Sequence, residues 1–181
     1  MANFSHKGKA ARYAALVGIM AATVECAKLA LAAIPNVEVV TLLLALYGYT
    51  FGVAGIVAAI VFVCIEPLIW GFGTWMISYF IYWPLVAATF MMLSKCRIKN
   101  RFLLAGVAVV STVFFGFLTS LVDIGLFTGN FDKFWYRFGI YYMRGIAFYA
   151  IQTACNAVFF VTLFPLLSGS LDKTGKRILK I

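Results

Sequence analysis

VEVVTLLLALYGYTFGVAGIVAAIVFVCIEPLIW, residues 37–70, is a run of 34 residues broken by few polar groups, and its reading decides the fold. As one helix it would reach about 51 Å at about 1.5 Å per residue. A single crossing of the hydrocarbon core needs about 30 Å and two need about 60 Å. Length alone makes it too long for one crossing and slightly short for two.

The charges on either side settle the count. Eleven of the fifteen Lys and Arg residues fall in three clusters: Lys7, Lys9 and Arg12; Lys95, Arg97, Lys99 and Arg101; and Lys173, Lys176, Arg177 and Lys180. Short loops rich in Lys and Arg stay on the cytoplasmic side of a polytopic membrane protein, so all three are expected there. The first two clusters share a side only if an even number of spans separates them. The stretch therefore splits into two short or incompletely spanning helices near Tyr47-Gly48-Tyr49-Thr50-Phe51-Gly52, where two glycines permit a tight turn.

Composition agrees with a membrane setting. Hydrophobic residues make up 64%, charged residues 12%, and mean hydropathy is +0.99, far from globular averages. A net charge of +9 can signal nucleic-acid binding, but here the charges flank apolar runs rather than forming a soluble basic surface, so nucleic acid is not expected as a partner. The first apolar stretch is too long for a cleaved signal peptide and reads as a retained span. The expected architecture is an all-α integral membrane protein, one domain over residues 1–181. Its six transmembrane helices cover about 10–33, 37–49, 51–70, 74–94, 102–127 and 139–168, with both termini cytoplasmic.

This topology sends 34–38, 66–75 and 123–137 outward, and they collect Asn36, Glu38, Glu66, Trp70, Trp75, Asp123, Asn130, Asp132 and Trp135. Trp and Tyr at a membrane interface ordinarily form an anchoring belt, which accounts individually for Trp70, Trp75, Tyr79, Tyr82, Trp83, Trp135 and Tyr136. The run Glu66-Pro67-Leu68-Ile69-Trp70-Gly71-Phe72-Gly73-Thr74-Trp75 adds a carboxylate, a helix breaker and two glycines, a combination suited to meeting a ligand. In the last span Arg144, Phe148, Gln152 and Asn156 recur every fourth residue on one face. Polar groups within a span line cavities or bond to neighbouring helices, and both readings stand for these. Glu25 and Lys28, three apart, are expected to pair along helix 1 in a structural role.

Helix 1 also carries Ala10, Ala14, Gly18, Ala22, Cys26 and Ala30 at every fourth position, with Ala11 and Ala15 beside them. Small residues at this spacing allow another helix to approach closely, either a partner's or one within the chain. His6 is the one histidine, and Cys26, Cys64, Cys96 and Cys155 have neither zinc-site nor disulfide spacing, so no metal site is expected. No phosphate-binding glycine loop and no nucleophile–base pattern occurs, so an enzyme is not expected.

Ile34-Pro35-Asn36-Val37-Glu38-Val39-Val40-Thr41, the Gly-rich turn, Trp70-Gly71-Phe72-Gly73-Thr74-Trp75 and Tyr82-Trp83-Pro84 together resemble the substrate-binding S components of energy-coupling factor transporters. The likeness covers nearly the whole chain, in length, six-helix layout and the small-residue stripe. It implies a multi-pass subunit of the bacterial cytoplasmic membrane that captures a vitamin from outside. Its implied partners are a transmembrane T subunit, meeting Ala10, Ala11, Ala14, Ala15 and Gly18, and two cytoplasmic ATPases that bind ATP and Mg; the chain itself would hold no cofactor. Within the family it looks most like the cobalamin branch, although the outer face lacks a cobalt-ligating His. Riboflavin or pantothenate is the alternative ligand, and a self-sufficient small carrier or channel the alternative class. The implied substrate residues are Asn36, Glu38, Glu66, Trp70, Trp75, Tyr79, Trp135, Tyr141, Arg144 and Gln152.

Overall fold

The computed structural model describes residues 2–128 and 131–178, with side chains over 8–128 and 131–173. Seven α-helices are found among them and no strand: α1 (Ala2–Leu31), α2 (Val40–Phe51), α3 (Val53–Trp70), α4 (Trp75–Lys95), α5 (Arg101–Val122), α6 (Phe134–Arg144) and α7 (Ile146–Ile178). A π-helical turn, Asp123–Phe127, extends α5.

The 37–70 stretch does divide, and Gly52 alone separates α2 from α3. Its backbone sits at φ 61°, ψ −123°, a region that a side chain all but forbids. Gly48 and Gly55 serve contact rather than turning. A Cβ on Gly48 would lie 2.0 Å from the Ala87 carbonyl oxygen of α4, and one on Gly55 2.4 Å from the Tyr47 backbone. Glycines thus let α2 touch both α3 and α4 backbone to backbone.

α2 has 12 residues, about 18 Å of helix. It can stop short because nine of its residues are buried, among them Leu42, Leu44, Ala45, Leu46 and Tyr47, so protein rather than lipid surrounds its ends. It packs against α1, α3, α4 and α7 and forms the hub of the bundle. Around it the core continues through Phe62, Trp83 and Val86 to a Phe90–Phe160–Phe164 cluster with ring centroids 5.1–5.8 Å apart.

Five helices are long and apolar enough to cross a membrane: α1, α3, α4, α5 with its π turn, and α7. Their outer surfaces are apolar as well. In α7 only 17% of the most apolar window is buried within the protein, and Val158, Leu163 and Leu166 face outward. Such a surface is stable only where the surrounding medium is itself apolar. The chain is a helical membrane protein.

Two expected boundaries differ. The span over 139–168 is interrupted at Gly145, which separates the 11-residue α6 from α7. Gly145 lies under Tyr149, whose ring would be 2.6 Å from a Cβ there, and Gly116 of α5 meets the same ring at 2.7 Å. A large side chain wedged between two glycines accounts for the break. The 66–75 segment is helical through Trp70, so Glu66 belongs to α3 and not to an outer loop.

Connectivity sorts the two ends of the bundle. Tyr49 of α2 donates to the Ile98 carbonyl at 2.8 Å, and Tyr49, Arg97, Lys99, Phe164 and Asp172 line one recess. The α2–α3 turn, the α4–α5 loop and the far part of α7 therefore share an end. The C-terminus of α1, the 34–38 segment, the start of α2, the end of α3 and the start of α4 meet at the other.

Candidate functional site

At that other end lies a cavity of about 300 Å³. Lys28 enters it from α1, Asn36 and Glu38 from the following loop, Thr41 from α2 and Trp70 from α3; Tyr79, Tyr82 and Trp83 come from α4, Thr112 and Phe115 from α5, and Phe148 and Gln152 from α7. Every long helix contributes, and no neighbouring pair of helices could form the site alone.

Its polar groups form two poles. At one, Glu38 closes the start of α2, where free backbone N–H groups and the helix dipole favour an acceptor. Its Oε2 accepts from the Thr41 backbone N–H at 2.9 Å. Its Oε1 accepts from the Thr41 hydroxyl at 2.6 Å and from Asn156 Nδ2 at 3.0 Å. Asn156, fully buried in α7, also donates to Thr112 Oγ1 at 2.9 Å. One carboxylate thereby fixes the α2 start against α7, and through Asn156 against α5.

At the other pole, Lys28 forms an ion pair with Glu66 of α3. The ammonium stands 5.1 Å from the Trp70 ring centroid, 5.8 Å from Tyr79 and 5.9 Å from Phe62, an aromatic box of the kind that attracts a cation. Glu66 is buried, as is Glu25 of α1, and both oxygens of Glu25 and Oε1 of Glu66 are buried without a hydrogen-bond partner. The expected pairing of Glu25 with Lys28 along α1 is replaced by a bond across helices, because Glu66 presents the nearer carboxylate in a dry contact where a fixed partner counts most.

Between the poles the wall is aromatic. Tyr79 lies 5.5 Å from Trp83, and Phe115 lies 4.8 Å from Tyr82 and 6.0 Å from Trp83. These rings give flat apolar surfaces with polar groups at both ends, the usual makeup of a small-molecule site.

Of the substrate residues expected from sequence, Asn36, Glu38, Trp70, Tyr79 and Gln152 line this cavity. Glu66 sits behind it through Lys28, and Trp75 packs edge-on against Tyr79 at 4.9 Å without lining it. Trp135 and Arg144 line a separate recess along α6, and Tyr141 with Arg144 another beside Asp123 and Tyr149. Arg144 ends α6, across the Gly145 break from Phe148, Gln152 and Asn156 of α7, and does not line the cavity. Thr41, Tyr82, Thr112 and Phe115 are wall residues outside that expected set, and Asn156 supports the wall from behind. Thr112 carries little signal in sequence, since a hydroxyl in an apolar helix commonly bonds its own backbone; it does so here, donating to Ala108 at 3.0 Å. Among the described residues no cluster of His, Cys, Asp and Glu suits a metal ion.

The small-residue positions of α1 that sequence marks for a partner are all exposed: Ala10, Ala11, Ala14, Ala15 and Gly18, with Ala22, Cys26 and Ala30 continuing the line. The helix buries a different face, through Leu16, Val17, Met20, Ala21 and Val24. Among the described residues, no other helix of the chain covers the stripe. Comparison with protein-family models, curated proteins and solved structures yields no match to this chain.

Proposed function

We propose that the protein is the vitamin-capturing S component of an energy-coupling factor type importer in a bacterial cytoplasmic membrane. The carrying observation is the cavity, at the end of the bundle opposite the Lys95–Arg101 cluster, walled by rings and closed by two polar poles. With that cluster on the cytoplasmic side, the chain makes six passages with both termini inside. The short α2 is one of them, and the cavity opens outward.

The exposed stripe of α1 is the proposed docking surface for a T subunit. Two partner ATPases, binding ATP and Mg, would supply the energy. A cavity of about 300 Å³ is at the lower end of ligand sites, which run from about 300 to 1,000 Å³. It suits a ligand the size of riboflavin or pantothenate; cobalamin, favoured by the resemblance, requires the cavity to widen.

The test is binding by purified protein without nucleotide. The expected result is one vitamin held tightly from a panel of riboflavin, pantothenate, thiamine and cobalamin, with uptake into proteoliposomes only when the T subunit and ATPases are present. Uptake by this chain alone would instead make it a self-sufficient carrier, and failure of every vitamin to bind would overturn the capture reading.

A further inference from the structure

The charges around the cavity define the sign of its ligand. Among the described residues, Lys28 and Glu38 are the two charged groups on the wall. Lys28 is already answered by Glu66, and Glu25 places a second carboxyl group against that pair. Lys28 therefore has no net charge to offer a ligand anion. It does keep N–H donors, of which an ammonium has three while Glu66 takes one.

Glu38 is different. Its three bonds are all donated to it, by a backbone amide, a hydroxyl and a side-chain amide, and all three donors are neutral. They satisfy the carboxylate oxygens without cancelling the charge. The α2 dipole offsets about half a unit. A carboxylate offers about four acceptor positions, so one remains open on a half-buried group that lines the cavity. The adjoining walls carry the rings of Tyr79, Tyr82, Trp83 and Phe115, a ring type that attracts cations. Counter-charge is missing at the Glu38 pole, and the surroundings favour a flat cation.

We propose that the cavity selects a small heteroaromatic ligand carrying positive charge, its charged edge toward Glu38 and an acceptor at its opposite edge toward Lys28. This deepens the capture reading and rests on it. An anionic ligand would meet the Glu38 carboxylate and the aromatic wall, with Lys28 already paired to Glu66 behind it.

The test compares probes of similar size and different charge on the purified full-length protein, read by quenching of tryptophan fluorescence. Thiamine is the cation, riboflavin the neutral probe and pantothenate the anion, with cobalamin as the large-ligand arm. Thiamine is expected to bind at least about tenfold more tightly than the other three, the worth of one charge-assisted contact. Glu38→Gln, which removes the charge, keeps the side-chain length and leaves one acceptor oxygen, should abolish that preference. Should Glu38→Gln fail to fold, the ranking on the unaltered protein decides by itself. Tighter binding of riboflavin, pantothenate or cobalamin overturns the charge assignment and leaves the capture reading standing. Unchanged thiamine preference in a folded Glu38→Gln protein overturns the role of Glu38, and binding of none of the four overturns both readings.

Discussion

Lys28 and Glu66 show how a membrane protein accommodates charge in its interior. Each alone would be a buried or half-buried ion facing rings; together they are a bonded pair whose ammonium is surrounded by Phe62, Trp70 and Tyr79. Removing one partner of such a pair costs more than removing both, because the survivor keeps its desolvation penalty without its Coulombic partner. Glu66→Ala is therefore expected to destabilise the protein by about 3 kcal/mol, whereas the double change Lys28→Met with Glu66→Leu should recover most of that loss. Thermal unfolding of both variants in one detergent measures the difference. Equal loss in the single and double variants would mean that the pair is incidental to packing.

Among the elements, α2 is the least ordinary, and its glycines divide their work in a way sequence does not disclose. Parity of the basic clusters was enough to place a turn between Tyr47 and Gly52. It could not tell that Gly52 makes the turn while Gly48 supplies contact, since one property lies in a dihedral angle and the other in a neighbour 39 residues away, Ala87. The same limit applies to the site. Asn36, Glu38, Trp70 and Tyr79 were legible because polar or aromatic residues at span ends stand out, and Gln152 and Asn156 because amides within a span do; Thr41 and Thr112 matter through the partners that the fold brings to them, Glu38 and Asn156. The Gly145 break was hidden because apolar sequence lies on both sides and the wedge, Tyr149, looks like any aromatic residue of a span. These roles can be separated by mutation. Gly52→Ala imposes a backbone conformation that costs about 1–3 kcal/mol. Gly48→Ala adds overpacking against a backbone carbonyl, which has no rotamer through which to yield, and should cost about 3 kcal/mol. Gly106→Ala, with open space around its Cβ, should change stability by less than about 0.5 kcal/mol. Unfolding midpoints for the three test this order, and a neutral Gly48→Ala would refute the close α2–α4 contact.

At the scale of the whole molecule, the protein separates its surfaces. The cavity and its carboxylates occupy one end, the Lys95–Arg101 cluster the other, and α1 runs between them with one buried and one exposed face. One line of the exposed face carries small side chains, beside Tyr13, Ile19 and Leu29, whereas exposed apolar surfaces elsewhere carry large ones such as Val110, Phe114 and Leu166. Lipid imposes no demand for smallness, because its chains conform to any apolar relief; another helix does impose it, because close approach gains the van der Waals contact that drives association in a bilayer. Under the proposed function, the stripe is the surface that a helix of the T subunit would meet. Ala14→Leu would fill it without touching the core, since Leu16, Val17 and Met20 pack on a different face and Gly18, one turn away, has nothing within 4 Å of a Cβ. Ligand affinity and unfolding temperature should stay at their unaltered values, while affinity for the T subunit, and uptake with it, falls by about tenfold, equivalent to about 1.4 kcal/mol. Ile19→Ala, a change of an exposed large residue off the stripe, is the matching control and should leave uptake intact. Undiminished assembly of the Ala14→Leu protein would move the docking surface off α1, and loss of ligand binding in that variant would show that the two faces of the helix are not independent.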